Sequence, residues 1–190
     1  MFAKLPNQLV HVHGAVFVTS VLLLVAQAWL VAAHKTIWHM KLGLLALILL
    51  PSMAVLGVLE LFDFIRRVPS YDTPELILVG DLEILALYVG LTSWGLLARR
   101  DAASHKRLMV LGMIAIMGPG IDRWNLGIVV TLGTMFGLPL LILAYDLWAL
   151  KRVHRTTGVA SALIAVVTLT VIPFSKLAFW HHCVEWIRHT

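Results

Sequence analysis

Cysteine is nearly missing from this chain, Cys183 being the only one. A lone thiol excludes an internal disulfide framework and any metal site built from several cysteines. Charge is scarce too, at 13% of residues, and there is neither a long linker nor a low-complexity tract. No hydrolase, phosphate-loop, zincin or dinucleotide fingerprint occurs. The net charge of +5 does not imply a nucleic-acid partner, because no basic segment interleaved with aromatics stands in a soluble stretch. The first apolar run lacks the short core and small-residue cleavage site of a secretory signal and is expected to stay in the mature protein.

What the chain has instead is apolar surface. Of its 190 residues 60% are hydrophobic, and the mean hydropathy is +0.90. A water-soluble core cannot absorb that much. Apolar stretches recur that reach the roughly 20 residues a helix needs to cross a hydrocarbon layer about 30 Å thick. The expected spans are 9–33, 40–62, 76–98, 106–123, 126–150 and 159–180. They are expected to be helices, since a chain in lipid must satisfy its backbone internally and the alternation of a membrane β-barrel is absent. The fold class is therefore all-α, a polytopic bundle of six transmembrane helices paired as three hairpins in one membrane domain, 1–190. The fourth span is the shortest. Its apolar run ends at Gly118-Pro119-Gly120, which leaves a re-entrant segment as the alternative to a crossing.

Charge placement favours six crossings. They bring Lys35 and Lys41, then Arg99, Arg100, Lys106 and Arg107, then Lys151, Arg152 and Arg155 to one side, nine of the fifteen cations. The positive-inside rule makes that side cytoplasmic and both termini periplasmic. Arg66 and Arg67 in the outer loop reduce the asymmetry.

The three inner turns read HKTIWHMKLG, RRDAASHKRLM and KRVHRTTG, and each has a histidine at or shortly before the start of the returning helix: His39, His105 and His154. Cations at a helix N-terminus oppose the dipole by roughly 0.3–1 kcal/mol, which anionic headgroups outweigh at about 1 kcal/mol per basic residue. That accounts for Lys41, Lys106, Arg107 and Arg155 but not for the histidines. Imidazole suits a membrane interface and can cap or bridge loops there. It is also, when neutral, a ligand for metal or haem iron, and three helix ends at one depth can converge, with His34 as a fourth contributor. Nearby basic side chains suit haem propionates.

The first helix carries His13, Ser20, Gln27 and His34 at intervals of seven. Seven residues return to one face with a drift of about 20°, so these four are expected to form a polar seam facing other helices or a hydrated path. Gln27 serves there as interhelical glue or as a ligand contact. Toward the outer face lie eight of the ten acids, Glu60, Asp63, Asp72, Glu75, Asp81, Glu83, Asp122 and Glu185. Together with His13, His181 and His182 they supply ligands for a divalent metal or a proton-linked site. Asp122 and Arg123 are expected to form a structural ion pair, and Asp146 to balance Lys151 or Arg152.

His13-Gly14 with Gln27, His39 followed by Leu42-Gly43, the HKRLM of 105–109 with Arg123 beyond it, and YDLW with RVH across 145–154 together resemble a group of uncharacterised bacterial multi-pass membrane proteins. The resemblance implies a bacterial inner membrane. It carries no activity with it. Three functions fit the residues. One is a haem b or metal-ion site at the inner rim serving electron transfer. Another is a cofactor-free accessory subunit packed in a larger membrane complex or homo-oligomer. A small proton-coupled transporter using the first-helix seam is the third.

Overall fold

The computed structural model describes residues 7–67, 73–122 and 126–189, and among these every regular element is a helix. In chain order they are α1 (Gln8–Ala32), α2 (Thr36–Gly43), α3 (Ala46–Arg67), α4 (Pro74–Leu97), α5 (Ala102–Asp122), α6 (Ile128–Leu150), α7 (Arg155–Ser175) and α8 (Ala178–His189). Among the described residues five segments are long and apolar enough to cross a membrane: Gln8–Ala32, Thr36–Arg67, Pro74–Leu97, Val129–Leu150 and Arg155–Ser175. α5 is not among them, because its first turns read AASHKR.

Two of the expected spans divide. The second breaks at Leu44–Leu45, where Leu44, Leu45, Leu47 and Ile48 donate to carbonyls three residues back, tightening one turn between α2 and α3. The last ends at Ser175, just after Pro173, and the chain resumes after Lys176–Leu177 as the separate α8. The fourth does the opposite. Its helix starts earlier, at Ala102, and runs through Gly118-Pro119-Gly120 to Asp122. Proline is tolerated inside such helices, and Pro51, Pro139 and Pro173 are likewise internal.

The contacts divide the chain into two compact units, residues 1–68 and 69–190. In the first, α1 packs on α3 and α2. Asn7 caps α1, its Oδ1 accepting from Val10 N at 3.1 Å, and its Nδ2 donates to Asp63 Oδ2 at 2.8 Å. The start of α1 is thus tied to the end of α3, and the two run antiparallel. Arg67 Nε donates to the same carboxylate oxygen at 2.6 Å.

In the second unit α5 is the central helix, packed on α4, α6 and α7. Its Leu108, Leu111, Ile114 and Ala115 join Leu91 of α4, Met135 of α6, and Ala160 and Ile164 of α7 in one buried cluster. Glycine sets the α4–α5 spacing. A Cβ on Gly112 would stand 2.7 Å from Thr92 Oγ1, and one on Gly95 would stand 3.1 Å from Leu108 Cβ. Small residues that let backbones approach are how helices pack where lipid removes the hydrophobic drive. α8 lays Val184 and Ile187 inward and packs on α4.

Candidate functional site at the α5–α6–α7 clasp

Asp146 lies four residues before the end of α6 and has no exposed surface. An isolated carboxylate there would be prohibitively costly, so it must be neutralised and hydrogen-bonded. Arg107, in the second turn of α5 and 6% exposed, does both. Its Nε donates to Oδ1 at 3.1 Å, and its Nη2 makes a close ion pair with the same oxygen. Nη1 turns back to Ala103 O at 2.9 Å. Asp146 Oδ2 accepts from Thr157 Oγ1 at 2.5 Å and from the backbone N–H of His154 at 3.2 Å. One carboxylate therefore collects donors from α5, from the α6–α7 turn and from the first turn of α7.

A second acid works beside it. Asp101 caps α5, its Oδ1 accepting from Ala103 N at 3.1 Å and Ser104 N at 3.3 Å, its Oδ2 from Ser104 Oγ at 2.6 Å. Ser104 Oγ is also 2.9 Å from Thr156 Oγ1. The serine has one hydroxyl proton and gives it to the carboxylate, so Thr156 must donate to Ser104. Consecutive threonines at the start of α7 thus serve two acids, Thr156 reaching Asp101 through Ser104 and Thr157 reaching Asp146 directly. The Ser104 hydroxyl and backbone N–H hold the Asp101 carboxyl below its ordinary range, with the Ala103 N–H and His154 adding to the effect.

The histidines take particular places. His154 is the N-cap of α7, its Nδ1 accepting from Thr156 N at 3.3 Å. In the neutral ring the proton then sits on Nε2. His105 lies inside α5 and its Nδ1 is 2.7 Å from Gly95 O. A carbonyl only accepts, so Nδ1 carries the proton. His39 sits on α2, in the other unit. His34 is outside α1 at φ +58°, with His34 N donating to Val31 O at 3.0 Å and Lys35 N to Leu30 O at 2.8 Å. This is a left-handed helix stop of the kind usually given to glycine. The seam on the helix accordingly ends at Gln27, and His34 leaves the heptad register. Ser20 Oγ bonds back to Val16 O at 2.9 Å. His13 belongs to α1.

On α8, His181 and His182 are both exposed, and His181 Nδ1 is 2.9 Å from Glu75 Oε1. Asp122 ends α5, while Arg123 and Asp72 lie outside the described residues. Among the described residues no three His, Cys, Asp or Glu side chains gather as a metal-binding group.

Two readings need correcting. Arg107 does not face headgroups: it is buried against Asp146, because the carboxylate pairs across helices and not with Lys151 or Arg152, both exposed. Thr156, Thr157, Ser104 and Asp101 form a set that no spacing in the sequence singles out. One signal was present, since an acid inside the apolar YDLW stretch demands a partner.

No protein-family model, curated protein or solved structure matches this chain.

Proposed function

We propose that this chain is a six-crossing protein of the bacterial inner membrane, with both termini periplasmic, that works as a cofactor-free accessory subunit of a larger membrane complex. The observation that carries the reading is the closure of the clasp: Asp146 is satisfied by Arg107, Thr157 and the His154 N–H, while the His154 ring caps α7. The polar groups of the clasp are engaged in joining helices. α5 is counted as the sixth crossing because its 21 residues give about 31 Å and because Ser104 and Arg107 of its polar start are buried. α1 supplies the face for partner helices: Val12, Val18, Leu22, Val25 and Trp29 are all exposed, and the last four share one face of the helix. Purification in mild detergent tests the reading. A co-purifying membrane partner and no stoichiometric haem or metal are expected. An isolated, monodisperse chain that keeps haem or a metal ion would overturn it.

A second reading has one observation in its favour. Donation from His105 Nδ1 to Gly95 O is the kind of bond that orients a ligating imidazole. Haem b or a divalent metal ion held by His105 would supply electron transfer. A Soret band lost in His105→Ala supports it, and a featureless visible spectrum of the membrane-extracted protein removes it.

A further inference from the structure

The first unit holds a groove of about 280 Å³ lined by Leu30, Lys35, Trp38 and Leu42. It lies where α1 turns into α2, and three features single it out. The first is charge. No acid occurs before Glu60, so the turn carries Lys35 and Lys41 with no carboxylate in its own stretch of chain. The second is the placing of those charges. Lys35 Nζ stands 5.2 Å from the centre of the Trp29 ring and Lys41 Nζ 5.5 Å from that of Trp38, so each ammonium is held over an aromatic face beside the groove. The third is Gln27. It precedes the groove-lining Leu30 by three residues, on the same face of α1 and one turn deeper. Its amide rests against α2, where a Cβ on Gly43 would be 3.6 Å from Nε2. Both amide atoms are shielded from solvent, and neither has a partner among the described residues.

A cationic mouth, an apolar wall and an unsatisfied amide one turn below it match one kind of molecule. We propose that this groove binds an anionic glycerophospholipid of the surrounding leaflet. The phosphate pairs with Lys35 and the glycerol backbone lies along Leu30, Trp38 and Leu42, while the Gln27 side chain, which does not itself line the groove, turns toward it so that Nε2 donates to an ester carbonyl. At 280 Å³ the groove is just below the roughly 300–1,000 Å³ of pockets that enclose a whole small molecule. It therefore takes the head of an amphiphile whose tails remain in the bilayer. Gln27 thereby gains the hydrogen bond that the protein does not give it.

The inference rests on the membrane reading, which fails separately if the chain is absent from carbonate-washed membranes. The test is native mass spectrometry of the full chain in detergent, incubated with phosphatidylglycerol or phosphatidylcholine of the same acyl chains. One retained phosphatidylglycerol, in preference to phosphatidylcholine, is expected. Lys35→Gln should lower its retention roughly fivefold, the worth of one basic residue near a lipid surface. That variant should leave phosphatidylcholine unchanged, and Lys35→Arg should restore the preference. Gln27→Leu should weaken both lipids, because both carry ester carbonyls. Lys106→Gln, exposed on α5, should change neither. Unaltered helix content by circular dichroism keeps the variants comparable. Equal retention of the two lipids, no effect of Lys35→Gln or of Gln27→Leu, or an equal loss with Lys106→Gln would overturn the site.

Discussion

Arg107 of α5 and Asp146 of α6 form an ion pair that is almost completely withdrawn from solvent. Thirty-nine residues apart in sequence, they join two helices at the end where the chain also turns into α7. Removing one partner leaves the other as an uncompensated buried charge, which costs roughly 3–5 kcal/mol. Asp146→Asn is accordingly expected to lower the stability of the detergent-solubilised protein by about that amount, read as a fall in the midpoint of denaturant unfolding. Substitution of exposed Lys151 by Gln should shift the midpoint far less.

The α4–α5 contact gives a steric prediction. Gly112→Ala places a Cβ where Thr92 Oγ1 already stands, 2.7 Å away. Overpacking of this kind costs about 1–3 kcal/mol. Adding Thr92→Ala should recover part of the loss, because it removes the obstructing oxygen. Gly14→Ala, with nothing within 4 Å, should not destabilise the protein in the same assay.

His34 provides a prediction of opposite sign. A non-glycine residue in the left-handed region carries a penalty of roughly 1–2 kcal/mol, partly offset in the variant by the greater chain entropy of glycine. His34→Gly should therefore leave the protein as stable or raise its stability by up to about 1 kcal/mol. Were the imidazole a cofactor ligand, the same change would reduce both stability and cofactor content.

Asp101 supplies a pH dependence. Its folded carboxyl lies below the ordinary value of 3.8, chiefly through the Ser104 hydroxyl and backbone N–H. A depressed acid contributes stability above its unfolded pKa and loses it as pH falls through the folded one. Asp101→Asn keeps a good capping residue but removes the charge. The gap between wild type and variant should be full near pH 6 and should close below about pH 3.8. A gap that persists unchanged at low pH would mean that the carboxylate charge is not what ties Ser104 and Thr156 to the cap.

Helical segments were legible because lipid leaves a backbone few alternatives, and an apolar stretch of the right length announces itself. α1, α4 and α6 each begin and end within two residues of the ranges read from the sequence. The α2–α3 break was hidden, since it falls at Leu44–Leu45 within LGLLALILL, where no proline or charge marks a turn. α8 does not stand apart from α7 in the sequence, because Pro173 and Lys176 lie within a stretch that stays predominantly apolar through Trp180. The histidines were visible as residues but not as roles. Whether His154 caps a helix or faces a ligand depends on the ring nitrogen that meets Thr156 N, and whether His34 stays in the helix depends on one positive φ. The Arg107–Asp146 pair shows the same limit more sharply. The sequence says that a buried acid needs a partner, but several cations compete for it and only packing selects one.

A double-mutant cycle over Arg107 and Asp146 tests the clasp most directly. Each residue is replaced by leucine, singly and together, and unfolding is measured in the same detergent. The two single variants should each be strongly destabilised and the double variant far less than their sum, a coupling of roughly 1–3 kcal/mol. Strictly additive losses would contradict the account, because the rim would then hold two independent polar residues and no joint between α5 and α6.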